Sequence, residues 1–511
     1  MSERRFYWII GLLLILAITI PYLYAAQAGG SEYVFGGFFL NVQDGNSYLA
    51  KMYQGWRGDW RFKLPYTADP GKGGYINLFY LGLGHVARIL NVSLLLAFHG
   101  ARVIGTGCLL WALSQFFRSL FQSPQRRKLA FAISALGSGL GWLATFLGIT
   151  AADFSVPEAY PFYSTYINPH FAFGLALTVW IITPRMKKHP LWTFLASLAL
   201  AIIAPFGVVI VVMVLSGMLL LEACMEREHF SVWVLEVIPE WWNLGIVLLG
   251  GGPMLIYQYW ISNTDPVLKG WNVQNLTIMP PFWEVLIGLS PVFILAILGL
   301  RRTWLEERIR MLILWAGLDL VLIYMPLSLQ RRFIMGLFIP LVGLAVIGIE
   351  WLGEKINLHY RTLVSILFIL SLPTNLMLIF SCIHVAHVHE TSIYLTTEEF
   401  QALGWIEEHT PSNALVLTGP ETGQFVPAHT GRRVLYGHSL ETVDATTVRE
   451  TVTAFFSGEM ALNQAESLLD TQDVDYILIG PRERELGEPP LLSNIEPLFS
   501  NDTIEIYGVL P

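Results

Sequence analysis

The chain has 511 residues, of which 54% are hydrophobic and only 14% charged, with a formal net charge of −8 and a mean hydropathy of +0.53. A soluble protein carries about a quarter charged residues, so the chain as a whole is not an ordinary soluble protein. The acidic balance also provides no basic face for a nucleic-acid partner.

Apolar runs of membrane-spanning length fill most of Phe6–Val385, and a normally polar sequence follows from Glu390. The pattern predicts an α-helical polytopic membrane protein of about eleven transmembrane helices over residues 1–388, followed by a soluble α/β domain over 389–511. The Met1-Ser-Glu-Arg-Arg start and its apolar run lack a good Ala-x-Ala cleavage site, so a first transmembrane helix is expected, not a signal peptide. Cys108, Cys224 and Cys382 lie in or beside apolar runs, and no Cys-x-x-Cys or His-x-x-x-His pair suggests a structural metal.

Lys and Arg orient the spans. Arg4 and Arg5 place the N-terminus in the cytoplasm, with the first span over about Tyr7–Ala25. Residues 29–74 are too polar to cross and form a long outer loop; residues 75–96, which hold His85 and Arg88, read as an interfacial helix. The second span, about Ala97–Phe117, ends inside at Arg118, Arg126, Arg127 and Lys128. Span three, Leu129–Thr150, leads to a second outer loop, Ala151 to about Asn168, and span four returns to Arg185, Lys187 and Lys188. Leu191–Leu221 holds two short spans turning near Pro205 and lands inside at Glu226-Arg-Glu-His. Span seven (Trp242–Ile261), outer loop Ser262–Thr277, span eight (Trp283–Leu300), span nine (Met311–Met325), span ten and span eleven (Leu363–Cys382) follow. The odd count places everything after Glu390 outside. Arg331 and Arg332 are the one cationic cluster on the outer side.

In the tail, Thr396 with Glu399 forms a capping box that opens a helix through about Glu408. Ala414–Leu417, Val434–Tyr436, Tyr476–Ile479 and Thr503–Tyr507 are β-rich runs alternating with helical segments at Val443–Phe456 and Met460–Leu469. That alternation predicts a small sheet with helices on its faces.

The first outer loop, Phe38-Phe-Leu-Asn-Val-Gln-Asp-Gly-Asn-Ser-Tyr-Leu-Ala-Lys-Met-Tyr, carries the clearest chemistry. Asp44 opens an amphipathic helix running through Tyr48, Met52 and Gln54. Its carboxylate suits a general base for an incoming hydroxyl, an oxygen ligand of a divalent cation, or simply a helix cap.

This layout resembles the membrane-embedded glycosyltransferases of the C-type fold, which include the protein mannosyltransferases and the lipid A aminoarabinose transferases. In that superfamily a long first outer loop carries an essential acid soon after span one, interfacial helices follow, and a soluble domain often ends the chain outside. Asp44 is the position matching the first-loop acid. Gly74-Tyr-Ile-Asn-Leu-Phe-Tyr-Leu-Gly-Leu-Gly-His sits where relatives often have a Pro-Pro-rich segment, and His99-Gly-Ala-Arg-Val resembles the arginine-bearing start of their second span, with Arg102 as that arginine. The family's paired first-loop acids are not matched: Gln43 precedes Asp44, and Asp59 and Asp69 are distant in sequence. That departure from the family pattern favours a metal-free base while leaving a divalent metal at Asp44 open.

The second outer loop offers Asp153, Glu158 and His170, and some relatives place a second acid there. Its aromatic residues Tyr160, Phe162, Tyr163 and Tyr166 suit a sugar surface or an interfacial aromatic belt. Asp319, inside span nine, is either buried for structural reasons or paired with Arg102. Gln330, Arg331 and Arg332 suit the phosphate of a lipid carrier, since guanidinium forks match phosphate oxygens; they equally suit headgroup anchors. Related enzymes commonly hold the carrier phosphate with a basic residue in their later spans. The tail segments Gly431-Arg-Arg-Val-Leu-Tyr-Gly-His and Gly480-Pro-Arg-Glu-Arg-Glu flank strands and offer acceptor contacts.

The resemblance implies a cell-membrane hexosyl or pentosyl transferase that takes sugar from a polyprenyl-phosphate-linked donor and gives it to a lipid, glycan or protein acceptor at the outer face. The alternatives are a transporter or flippase of lipid-linked saccharide and a non-catalytic membrane assembly protein. A transporter would show repeated halves and broken midplane helices, and the sequence has no such repeat.

Overall fold

The computed structural model describes residues 1–183, 189–225, 238–303, 307–326, 328–489 and 496–509. Arg185, Lys187, Lys188 and the Glu226-Arg-Glu-His landing, used above to orient the spans, lie outside these residues. The chain divides into two compact units, one of Met1–Pro21, Gly100–Tyr257 and Thr277–Ser381, the other of Tyr22–His99, Gln258–Leu276 and Cys382–Pro511. The tail expected from residue 389 is therefore one part of a larger unit that includes the first outer loop and residues 258–276.

The first unit is helical. Among the described residues of the whole chain, six helices are long and apolar enough to cross a membrane, or up to eight if each of two bent pairs is one span. Helix α1 (Glu3–Ala28) turns Trp8, Ile9, Leu12, Leu13 and Leu16 outward, the pattern of a helix whose apolar face meets lipid. In contrast, the helix Phe338–Ile356 is buried from Phe338 to Ile349, and only its last two turns come to the surface. Three expected spans fall on helices shorter than the ~20 residues that span a bilayer at full thickness: Pro169–Ile182, Pro190–Ile203 and Glu307–Leu322. The expected break near Pro205 is present, because Pro190–Ile203 and Pro205–Met225 are separate helices around Ala204. The residue before a proline is pushed out of the helical region, and Ala204 sits at φ −147.

The second unit opens with helix α2 (Val42–Arg57) and helix α3 (Leu78–Leu90), followed by the start of α4 (Leu94–Leu120). The interfacial helix expected over 75–96 is thus shorter, because Asn91 ends it in the left-handed region at φ 52. Helices α2 and α3 cross closely through two glycines. A Cβ on Gly55 would lie 2.0 Å from the Leu81 carbonyl oxygen, and one on Gly84 1.9 Å from that of Met52. Tyr48 stacks on Tyr80 with ring centroids 4.3 Å apart, which locks the same pair of helices further along.

Strands β1 (Tyr33–Phe35) and β2 (Tyr394–Thr396) pair antiparallel. The tail then builds a five-stranded sheet from β3 (Leu415–Leu417), β4 (Arg433–Val434), β5 (Tyr476–Ile479), β6 (Phe499–Ser500) and β7 (Glu505–Gly508), in the order β4-β3-β5-β7-β6. β4, β3 and β5 are parallel, and β7 and β6 add antiparallel. Alternation along the strands gives the sheet two apolar faces. Leu415, Leu417, Ile477 and Ile479 pack with Phe455 and Phe456 on one side, while Val416, Leu478 and Ile506 pack with Leu403, Ile406 and Phe425 on the other. The Thr396–Glu399 capping box forms as expected and opens the helix Thr397–His409.

Candidate active site

Asn41 is the N-cap of α2, in the left-handed region at φ 50 that asparagine tolerates better than most residues. Asp44 therefore does not occupy the cap position that the sequence allowed for it; it lies within the first turn, where the helix dipole favours a carboxylate. Asp44, Ser47 and Lys51 follow at spacings of three and four residues and so share one helix face.

That face meets the turn between β4 and the helix Ala445–Phe456. His438 Nε2 lies 3.3 Å from Asp44 Oδ1. Lys51 Nζ donates to Glu441 Oε1 at 2.6 Å and to Ser47 Oγ at 2.7 Å, and Ser47 donates to the same Glu441 oxygen at 2.7 Å. Burial alone would raise the Glu441 carboxyl, but Lys51, His438 and these hydrogen bonds outweigh it and hold the group below the usual range. The Thr442 hydroxyl accepts from the N–H groups of Gly437 and His438, Ser439 donates to Gln43, and the Gln274 amide donates to the carbonyls of Leu440 and Thr442. The turn is thereby tied to α2 and to the helix Pro266–Gln274.

Asp44 remains partly open, with its side chain 40% exposed against 3% for His438. It faces a cleft of about 550 Å³ lined also by Gln43, Glu390, Glu421, Arg449 and Arg482. The lining residues Pro420 and Glu421, Tyr436 and His438, and Arg482 follow β3, β4 and β5 respectively, so the cleft opens at the carboxyl ends of the parallel strands. β3 has β4 on one side and β5 on the other, the switch point at which open parallel sheets bind ligands. Between β3 and β5 the anion position is filled internally, because the buried Glu483 carboxylate accepts from the N–H groups of Gly419 and Gly480, each at 2.9 Å.

Both tail segments singled out from the sequence reach this cleft, through His438 and Arg482. Arg482 donates to Glu399 at 2.7 Å and to the Tyr394 carbonyl, which fixes its guanidinium at the cleft wall. Asp59 and Asp69 do not line it. Ser47, Lys51 and Glu441 are not among the residues the sequence singles out; the polar stripe at i+3 and i+7 from Asp44 was the available signal. Tyr48 stays in the α2–α3 packing, with Lys51 Nζ 5.0 Å from its ring centre. His438 is not a metal ligand in this arrangement: two N–H groups at Nδ1 leave Nε2 as the protonated nitrogen facing the carboxylate. Among the described residues no group of three or more His, Cys, Asp or Glu side chains is placed to hold a metal.

The first unit contains the remaining candidates. Glu158, 2% exposed, accepts from Arg332 at 2.6 Å and has Arg331 at 3.8 Å, while both arginines are more than a quarter exposed. The Gln330 amide, oriented to satisfy both ends, donates to the Met325 carbonyl and accepts from the Met279 N–H, holding the turn that carries the arginines. Arg102 is buried and donates to the carbonyls of Ile18, Thr165 and Tyr166, at 2.8, 3.5 and 2.9 Å. Asp319 is buried, and the Arg102 guanidinium is turned to backbone carbonyls instead, so the Arg102–Asp319 pairing weighed from the sequence is not formed. His170 packs against the Phe171 ring at 4.1 Å. Asp153 is 1% exposed, and its Oδ2 accepts from the N–H groups of Gly139 and Gly141, each at 3.1 Å.

The polytopic helices and the small terminal sheet match, as a fold, those of solved polytopic membrane proteins. The chain is similar to the Archaeoglobus fulgidus oligosaccharyltransferase in its apo form, at 13% identity over 94% of this chain and 69% of that one, with a TM-score of 0.52. The archaeal oligosaccharyltransferase AglB from the same organism, in complex with an inhibitory peptide and a dolichol-phosphate, aligns at 13% identity over 91% and 69%, TM-score 0.51. ArnT from Cupriavidus metallidurans bound to undecaprenyl phosphate aligns at 11% identity over 97% of this chain and 98% of that one, TM-score 0.51. No protein-family model matches the chain, and no curated protein matches it by sequence. At these identities the likeness is one of fold.

Proposed function

We propose that this protein is a membrane glycosyltransferase that moves a sugar from a polyprenyl-phosphate donor to an acceptor hydroxyl at the outer membrane face, with Asp44 as the base. The observation that carries the reading is the partly open Asp44 carboxylate at a polar cleft on the carboxyl ends of parallel strands. Two solved proteins of the same fold hold dolichol-phosphate and undecaprenyl phosphate, which supports a lipid-phosphate carrier as the donor class. Asp44 takes the proton of the acceptor hydroxyl as that oxygen attacks the anomeric carbon. The bond from the anomeric carbon to the phosphate oxygen breaks, polyprenyl phosphate leaves, and one displacement inverts the anomeric centre. Arg331 and Arg332 are assigned to the carrier phosphate, held ready by Glu158.

The topology proposed with this reading puts the N-terminus in the cytoplasm and residues 389–511 outside. Reporter fusions after Arg127 and Glu354 should report cytoplasm, and those after Gly71 and Gly423 the outside; an inside signal at Gly423 removes the tail from the outer face. The chemistry is tested by radiolabelled sugar transfer from polyprenyl-phosphate donors in membranes, comparing the native chain with Asp44→Asn. Equal rates in the two would dismiss Asp44 as the base.

A further inference from the structure

His438 is nearly fully buried, and its ring is fixed from several sides. Nδ1 accepts from the backbone N–H groups of Leu440 at 3.0 Å and Glu441 at 3.2 Å. A nitrogen facing two N–H donors is the lone-pair nitrogen of the imidazole, so the ring proton of the neutral form is carried by Nε2. Nε2 is the atom that faces Asp44 Oδ1 at 3.3 Å. The Tyr66 ring, 5.8 Å away by centroids, packs beside the imidazole, and the Thr442 hydroxyl holds the backbone at Gly437 and His438. Glu441, whose own N–H is one of the two donors, is anchored to Lys51 and Ser47 of α2. The tautomer is therefore set by a turn that is itself clamped to the helix bearing Asp44.

We infer that His438 is a positioning residue for Asp44: its Nε2–H holds one carboxylate oxygen and so sets the direction in which the carboxylate meets an acceptor in the cleft. This rests on the reading of Asp44 as the base. An unheld carboxylate would turn about its Cβ–Cγ bond, and a catalytic group displaced by about 1 Å loses roughly 100-fold in rate.

Two substitutions separate this role from simple packing. His438→Asn keeps an acceptor where Nδ1 stood, satisfying the turn, but has no donor toward Asp44. His438→Gln reaches Asp44 with its amide N–H but leaves the Leu440 and Glu441 N–H groups without their acceptor. Transfer kinetics and thermal melting of the full chain in membranes or nanodiscs, with Asp44→Asn alongside, give the test. The expected result is a split: His438→Asn loses kcat by roughly 10- to 100-fold with the acceptor KM and melting temperature held, while His438→Gln melts lower yet keeps a rate close to native. A native kcat in His438→Asn overturns the inference while a slow Asp44→Asn leaves the base reading standing. Equal rate losses in both His438 variants, tracking their melting temperatures, also overturn it, since the ring would then serve the fold alone. If Asp44→Asn itself transfers at the native rate, the base reading fails and the positioning role falls with it.

Discussion

Asp44 and Asp153 are both acids carried by the first turn of a helix, and both are held by hydrogen bonds, yet they are held in opposite ways. Asp153 is 1% exposed and its Oδ2 is gripped by the backbone N–H groups of Gly139 and Gly141. Asp44 meets a side-chain donor on one oxygen and stays 40% exposed beside a polar cleft. Backbone donors in a closed site fix a carboxylate as part of the local fold, because nothing the size of a substrate can reach it. A side-chain donor beside an open cleft orients the group and leaves it reachable, which general-base chemistry requires. Acidity alone would not have distinguished them.

The largest expected effect tests the open site. Asp44→Asn should lower transfer by about two to four orders of magnitude, the usual scale for a positioned base, with expression unchanged. A loss in Asp153→Asn as large as that in Asp44→Asn would break the comparison; the expectation is transfer within about threefold of native, well below the ~100-fold lower bound for removing a general base.

The closed site has its own signature in stability. Burial pushes the Asp153 carboxyl from its ordinary 3.8 up to about 6, against hydrogen bonds from Thr374, Gly141 and Gly139 that lower it. Between those values the folded chain retains a proton that the unfolded chain has released, so stability falls as pH rises through that window. The loss is at most about 3 kcal/mol and should vanish in Asp153→Asn, whose amide does not titrate there. Melting of the purified protein from pH 4.5 to 7 reads the difference directly; parallel curves for the two proteins would contradict it.

Arg332→Lys sharpens the comparison from the donor side. Lysine keeps the charge facing Glu158 but not the planar fork, so use of the lipid-linked donor should weaken by about tenfold, the worth of one charge-assisted hydrogen bond, without loss of insertion. Native rates in both Arg331→Lys and Arg332→Lys would remove the phosphate assignment. The smallest effect is local: Thr396→Ala removes the cap of the helix Thr397–His409 and should cost about 1 kcal/mol, read as a modest fall in melting temperature with transfer unaltered.

Much of the architecture was legible in the chain itself. Apolar runs, the break at Pro205, the Thr396–Glu399 capping box and the β-rich runs of the tail are local signals, each set by residues within a few positions of one another, and helices and strands form where these signals stand. Asp44 was legible too, as an acid opening an amphipathic helix just beyond the first span. Its partners were not. His438 lies 394 residues further along, and Glu441, which neutralises the buried Lys51, is equally remote. Nothing in the spacing of either segment points to the other, because the contact exists only after the sheet places the end of β4 against α2. Likewise, Arg331 and Arg332 stood out in sequence as misplaced cations, while Glu158 stood out only as a loop acid; folding made them a pair. Periodicity and turn chemistry act over a few residues and therefore determined the elements. Tertiary structure decided which acid was buried, which was left open, and which histidine nitrogen faced it, because those outcomes depend on burial and on hydrogen bonds between distant parts of the chain.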